Sequence, residues 1–121
     1  MTVRIKRVYE QAEPGDGVRV LVDRLWPRGI TRERAAADHW LKDVAPSPAL
    51  RVQWHHAPER FDEFADRYRA ELDSNGALGE LLDLARSQPV VTLLFAARDP
   101  EVNHAAVLRD YVEDALAGPQ P

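Results

Sequence analysis

The sequence contains no cysteine, which excludes disulfides, thiolate metal ligands and thiol nucleophiles and fits a reducing compartment. Lysine is nearly absent as well. Only Lys6 and Lys42 stand among sixteen lysines and arginines, and alanine is abundant, a pattern of GC-rich coding that favours arginine everywhere. That bias discounts the arginine count as a sign of chosen anion ligands and draws attention to Lys42. No apolar run approaches the roughly 20 residues of a membrane span. The first residues, MTVRIKRVYE, lack the apolar core of a signal peptide. The expectation is a cytoplasmic protein that does not enter a membrane. A Walker loop, a GxGxxG turn and a Ser-His-Asp order are also missing. His55-His56 suggests metal by composition alone. Adjacent side chains diverge, and no cysteine or suitably spaced glutamate completes a site, so a surface or capping role is the stronger reading.

What is present is the content of one ordinary domain. A chain of 121 residues buries one core but not two, and its 45% hydrophobic and 30% charged residues are typical of a globular protein. The formal net charge of −4 argues against a surface that tracks nucleic acid throughout. The basic charge is local. Between Arg19 and Arg34 five arginines face only Asp23 and Glu33.

Periodicity gives the elements. Thr2–Tyr9 alternates Val3 and Ile5 with Arg4, Lys6 and Val8, the mixed pattern of an edge or half-exposed strand. Pro14, Gly15, Asp16 and Gly17 bend the chain before a second strand from Val18. Whether these two strands run parallel or as a wide antiparallel hairpin is left open. Thr31 caps a short helix over Arg32–Ala37, and His39–Asp43 reads as a short strand or an extended arm. Ser47-Pro48 starts a helix toward Trp54, and Pro58 starts another. There Phe61, Phe64, Ala65, Tyr68 and Leu72 form one helical stripe, repeated by Leu78, Leu81, Leu82 and Ala85. Val90–Ala97 is an uninterrupted apolar run, the signature of a strand buried on both faces. Asp99-Pro100-Glu101 predicts the start of a last helix, with Leu108, Tyr111, Val112, Ala115 and Leu116 on its inner stripe. The pattern predicts an α/β fold, a three-layer sandwich with a small mixed or mainly parallel sheet flanked by helices.

In such sheets ligands bind beyond the carboxyl ends of the strands. Two ends are well marked, Asp23-Arg24 and Arg98-Asp99, and they converge if their strands are parallel neighbours. After the first comes Trp26, with Pro27-Arg28-Gly29 fixing a rigid turn.

The run VDRLWPRG at residues 22–29, with Trp40–Ser47, Phe64, Arg67-Tyr68, TLLFAARD and Asn103-His104-Ala105, resembles the YeaO-like family, domain of unknown function 488. The resemblance covers nearly the whole chain. It implies a small cytoplasmic bacterial α/β protein and assigns no molecular activity or cofactor. The family's recurrent positions fall on Asp23, Arg24, Trp26, Pro27, Arg28, Gly29, Lys42, Arg98, Asp99, Asn103 and His104. Phe95 departs from the family, where tyrosine is common.

Each candidate has a plain alternative. Asp23 and Arg24 form either a local strand-end pair or a carboxylate held to orient a ligand hydroxyl. Trp26 is either a core or lid aromatic or a platform for a planar base. Arg28, Lys42, Arg51 and Arg98 suit an anion pocket, or pair with the acidic helices after Pro58. His104 is either a satisfied core histidine or a proton-handling group beside Asp99 and Asn103. Two function classes follow. The first is a site for an anionic small molecule, nucleotide or phosphate-like, with Asp23 and His104 as the groups open to catalysis. Its ligand contacts would be Arg24, Trp26, Arg28, Lys42, Arg51, Arg98, Asp99 and Asn103. The second is a nucleic-acid-binding or regulatory module that uses the arginine-rich segment 19–34.

Overall fold

In the computed structural model, which describes residues 2–54 and 58–117, the strand-forming stretches all enter one parallel sheet. Strand β1 is Thr2–Arg7, β2 Val18–Leu21, β3 His39–Trp40 and β4 Val90–Phe95. The order is β1-β4-β2-β3, so β4, last in the chain, inserts between the first two strands. The question of their mutual pairing therefore has a third answer. Each pairs in parallel with β4, Val3 opposite Val91 on one side and Val20 opposite Leu93 on the other. This explains the unbroken apolar run, since Val91–Phe95 lie under both sheet faces and are all buried. Strand β1 is at the edge, as its mixed pattern predicts.

Alternation along the strands sorts the core of the domain into two layers, one on each sheet face. Val3, Val20, Val22, Val91, Leu93 and Phe95 pack against helices α2 (Pro48–Trp54), α3 (Phe61–Asp73), α4 (Leu78–Ser87) and α5 (His104–Leu116). On the opposite face Leu21, Leu94 and Val8 meet Ile30, which precedes the short helix α1 (Arg32–Ala35), and Ala35 within it. Half-buried Tyr9, Trp26 and Trp40 complete that thinner layer of the α/β sandwich. A helix the length of α3 is marginal alone. It is held by Phe64, Tyr68 and Leu72, whose burial contributes roughly 1.5–3 kcal/mol each.

Two ends differ from the sequence pattern. Helix α1 stops at Ala35 rather than Ala37, because Ala36 adopts a left-handed conformation (φ 48°) while Thr31 Oγ1 caps the N-terminus by accepting from Arg34 N. Helix α5 starts at His104, not at Pro100. Asp99 instead closes its own turn, Oδ1 accepting from Glu101 N and Val102 N, and these amides hold its carboxyl below the usual range. The helix cap is Asn103, whose Oδ1 accepts from Ala106 N. Ala115 of the predicted stripe is exposed. The His55-His56 pair lies outside the described residues.

The bend before β2 is fixed by a buried ionic network rather than by turn chemistry alone. Asp16, 1% exposed, accepts from Glu13 N at 3.0 Å, from Lys6 Nζ at 3.2 Å and from Arg19 Nη1. Arg19, 4% exposed, also donates to Ala36 O at 3.1 Å and Ala35 O at 2.7 Å. One guanidinium thus ties β2, the turn before it and the end of α1 together. Among the described residues no helix is long and apolar enough to cross a membrane.

Candidate functional site

Because β2 and β4 are parallel neighbours, their carboxyl ends open side by side. Val22 N donates to Leu94 O at 3.1 Å, the last rung before the chains part. Asp23 stands at the fork. Its Oδ2 accepts from Ala96 N at 3.0 Å, and its carbonyl accepts from Trp40 Nε1 at 2.8 Å, so both side chain and backbone are held from outside. His104, first residue of α5, sets Nε2 3.1 Å from Val22 O and 3.3 Å from Asp23 Oδ1. A carbonyl only accepts, so the contact with Val22 O requires a proton on Nε2. Asp23 Oδ1 is buried and makes no hydrogen bond of good geometry.

The fork is the floor of a cavity of about 270 Å³. One wall is Ala45-Pro46, held by Arg24, whose Nη2 donates to Ala45 O at 3.2 Å and Pro46 O at 3.3 Å. Arg24 Nη1 lies 3.8 Å from Asp43, and Nε is buried without a partner. Behind this wall Tyr68 donates its hydroxyl to Val44 O. Burial first, then the Glu71 and Asp23 carboxylates, pushes that phenol well above its ordinary value, so it is a neutral donor. The opposite wall is Trp54 stacked on Phe64, centroids 4.1 Å apart. Helix α2 carries Trp54 and Arg51, and is capped by Ser47, whose Oγ accepts from Leu50 N and donates to Glu71. Arg51 is exposed at the mouth, and its side chain makes no ion pair among the described residues. Leu25, 71% exposed, forms part of the rim.

Tyr68→Phe is expected to leave Val44 O unpaired in the interior and to cost about 1–3 kcal/mol. Urea denaturation would register this as a lower midpoint with an unchanged slope. An unchanged midpoint would show that the hydroxyl contributes nothing to the wall.

Of the residues singled out by sequence, Asp23, Arg24, Arg51 and His104 meet in this cavity. Trp26, Arg28 and Lys42 do not line it. Trp26 packs edge-on against Trp40 at 5.5 Å on the thinner face and donates to Ile30 O, Arg28 is exposed with its carbonyl bound by Tyr9, and Lys42 lies over the Trp40 ring. Arg98 and Asp99 are exposed on the β4–α5 connection, and Asn103 is buried as the cap of α5. The sequence reading missed Trp54, Phe64, Pro46 and Ala96 as walls. Phe64 is legible only as a stripe residue, and Trp54 gains its place from the packing of α2 on α3.

Among the described residues no hydroxyl or thiol lines the cavity, and its charged or ionisable side chains are Asp23, Arg24, Arg51 and His104. A family model described as the inactive DUF488-N3 subclade matches residues 2–120. The chain belongs to that family. Its DUF488 relatives include an uncharacterized protein of Mycobacterium tuberculosis strain H37Rv, 54% identical over 88% of this chain and 89% of the relative. An uncharacterized protein of Mycobacterium bovis has the same identity and coverage. The Escherichia coli uncharacterized protein YeaO is 44% identical over 93% of this chain and 97% of its own. No solved structure matches the DUF488-N3 chain.

Proposed function

We propose that this DUF488-N3 protein binds an anionic small molecule, nucleotide or phosphate-like, at the fork of β2 and β4. The observation that carries the reading is one cavity with Arg51 at the mouth, making no ion pair among the described residues, Arg24 on one wall and the Trp54–Phe64 stack on the other. Two guanidiniums against one carboxylate favour an anion, and Arg51 is the one that, among the described residues, has no ion pair to give up. The stacked wall suits a planar or apolar part of the same ligand, and Asp23 with His104 suits its hydroxyls. Cavities of a few hundred Å³ with a few convergent polar groups are the usual form of small-ligand sites. The subclade's description as inactive and the absence of a hydroxyl or thiol among the described residues of the lining favour binding over covalent catalysis. Asp23 and His104 remain the pair through which a proton would be exchanged.

Thermal shift with inorganic phosphate, ribose 5-phosphate and adenosine 5′-monophosphate tests this. A ligand at about 100 times its Kd stabilises by about 2.7 kcal/mol, a rise on the order of 10 °C for a domain of this size. Arg51→Ala, an exposed substitution, is expected to weaken binding about 10- to 100-fold while leaving the unliganded melting point unchanged. No rise with any of the three anions, or equal rises in Arg51→Ala, would overturn the reading.

A further inference from the structure

The thinner sheet face carries a second, separate feature. Its three half-buried aromatics all spend their polar ends on backbone carbonyls, Tyr9 Oη on Arg28 O at 2.8 Å, Trp26 Nε1 on Ile30 O at 2.9 Å and Trp40 Nε1 on Asp23 O at 2.8 Å. Each ring is thereby fixed at its edge, and each has a cation over its face. Arg7 lies 5.2 Å from the Tyr9 centroid, Arg32 4.9 Å from Trp26 and Lys42 5.8 Å from Trp40.

Charge is divided between the two halves of the chain. Through Val44 the chain has nine lysines and arginines against seven acids; from Ala45 onward, seven against thirteen. On the helical side, Arg60, Arg67, Arg69, Arg86 and Arg109 each pair with a carboxylate. On the thin side, Arg28, Arg32, Arg34 and Lys42 are exposed and make no ion pair among the described residues. The acids nearby in sequence are mostly engaged elsewhere. Glu10 accepts from Arg7 N and Asp38 from Arg19 N, bonds that leave their charge in place, and Asp43 faces Arg24; among the described residues none of these, nor Glu33, pairs with the four cations. Four unpaired cations in a chain with surplus acid, set around rings fixed at their edges, match a polyanion with flat, stackable units.

We propose that this face binds single-stranded nucleic acid, with Arg28, Arg32, Arg34 and Lys42 on phosphates; Arg32 and Lys42, in turning to the phosphates, uncover the Trp26 and Trp40 ring faces for bases. Arg19 and Arg24 take no part, because both are bound inside the fold. Helix α1, four residues long, is too short to enter a duplex groove, so bases must be unpaired to be reached.

The test is fluorescence anisotropy with a labelled oligothymidylate of about twelve nucleotides, a length within the usual site size. Four phosphate contacts on a single strand give a log–log salt slope near −2.8, about 50-fold weaker binding at 200 than at 50 mM salt. The Arg28→Ala/Arg32→Ala/Arg34→Ala/Lys42→Ala protein, altered only at exposed positions, should lose most of that slope. An abasic strand of equal charge should bind at least about tenfold more weakly, because stacking is lost. A duplex should be similarly weakened. Absence of binding at about 50 mM salt, an unchanged slope in the quadruple variant, or an abasic strand as good as oligothymidylate would each overturn the proposal. Arg51→Ala, which disables the cavity, should leave this binding intact.

Discussion

Replacing Asp16 with asparagine is expected to destabilise the protein by about 3–5 kcal/mol, the range found when one partner of a buried ion pair is removed. The residue is 1% exposed and serves Lys6, Arg19 and the Glu13 amide at once. Without its charge, Arg19 keeps two backbone carbonyls but remains a buried cation with no counter-charge. For a domain of this size the melting point should fall on the order of 10–20 °C. The effect carries a pH signature. Burial pushes the Asp16 carboxyl up, but the Glu13 amide, Lys6 and Arg19 outweigh it and leave the group below its ordinary value of 3.8. A depressed carboxyl contributes its stability in full above the unfolded value and loses it as pH falls through the folded one. The gap between wild type and Asp16→Asn, measured by denaturant unfolding, should therefore be constant near neutrality and shrink below about pH 3.8. A gap that widens on acidification would show that the network is not held by Asp16 ionised.

Gly17→Ala is the second large expected effect, and it acts on backbone rather than charge. Gly17 has φ 64° and ψ −137°, and a β-carbon there would lie 2.2 Å from Val90 O and 2.7 Å from Val90 Cβ. Val90 opens the central strand and is held by Thr2 in β1, so it has little freedom to retreat. The cost should be about 4 kcal/mol or more, a large part of the total stability of a small domain. Gly29 supplies the control. It has φ 74°, but an added β-carbon meets nothing within 4 Å, so Gly29→Ala should cost only the left-handed backbone term of about 1–2 kcal/mol. Comparable melting points for the two variants would show that the approach of Gly17 to β4 is not tight.

Features of short sequence range were legible. The α3 stripe, the Ser47 and Thr31 caps and the doubly buried β4 run all follow from local pattern. The fork was legible only as a condition: the Asp23 and Arg98 ends converge if their strands are parallel neighbours, and it is the fold, not the local pattern, that meets the condition. The insertion of β4 between β1 and β2 was not legible, since no local signal in residues 2–21 records a strand that arrives some 70 residues later. The role of Arg19 was hidden for a related reason. Asp16 reads as a turn residue and Arg19 as one of five basic residues, yet their spacing of three across Gly17 makes a buried pair. At the β4–α5 connection two good cap sequences compete. Asp99-Pro100 forms a turn, and Asn103 starts the helix, which places His104 rather than Asp99 against Asp23. Trp26 was separated from the cavity by its partner. It packs on Trp40, a contact between a loop and strand β3 that sequence spacing does not encode.

The most direct test of the central claim uses the three tryptophans as reporters. Trp54 lines the cavity, whereas Trp26 and Trp40 lie on the opposite face. In a 15N-labelled protein titrated with adenosine 5′-monophosphate, the Trp54 indole resonance should move together with the amides of Ala96 and Arg51. The Trp26 indole, bound to Ile30 O on the opposite face, should stay in place, whereas Trp40, whose indole donates to Asp23 O at the cavity floor, is not a silent control. Movement of Trp26 with Trp54 unchanged, or no movement of any of the three, would contradict a ligand site at the fork of β2 and β4.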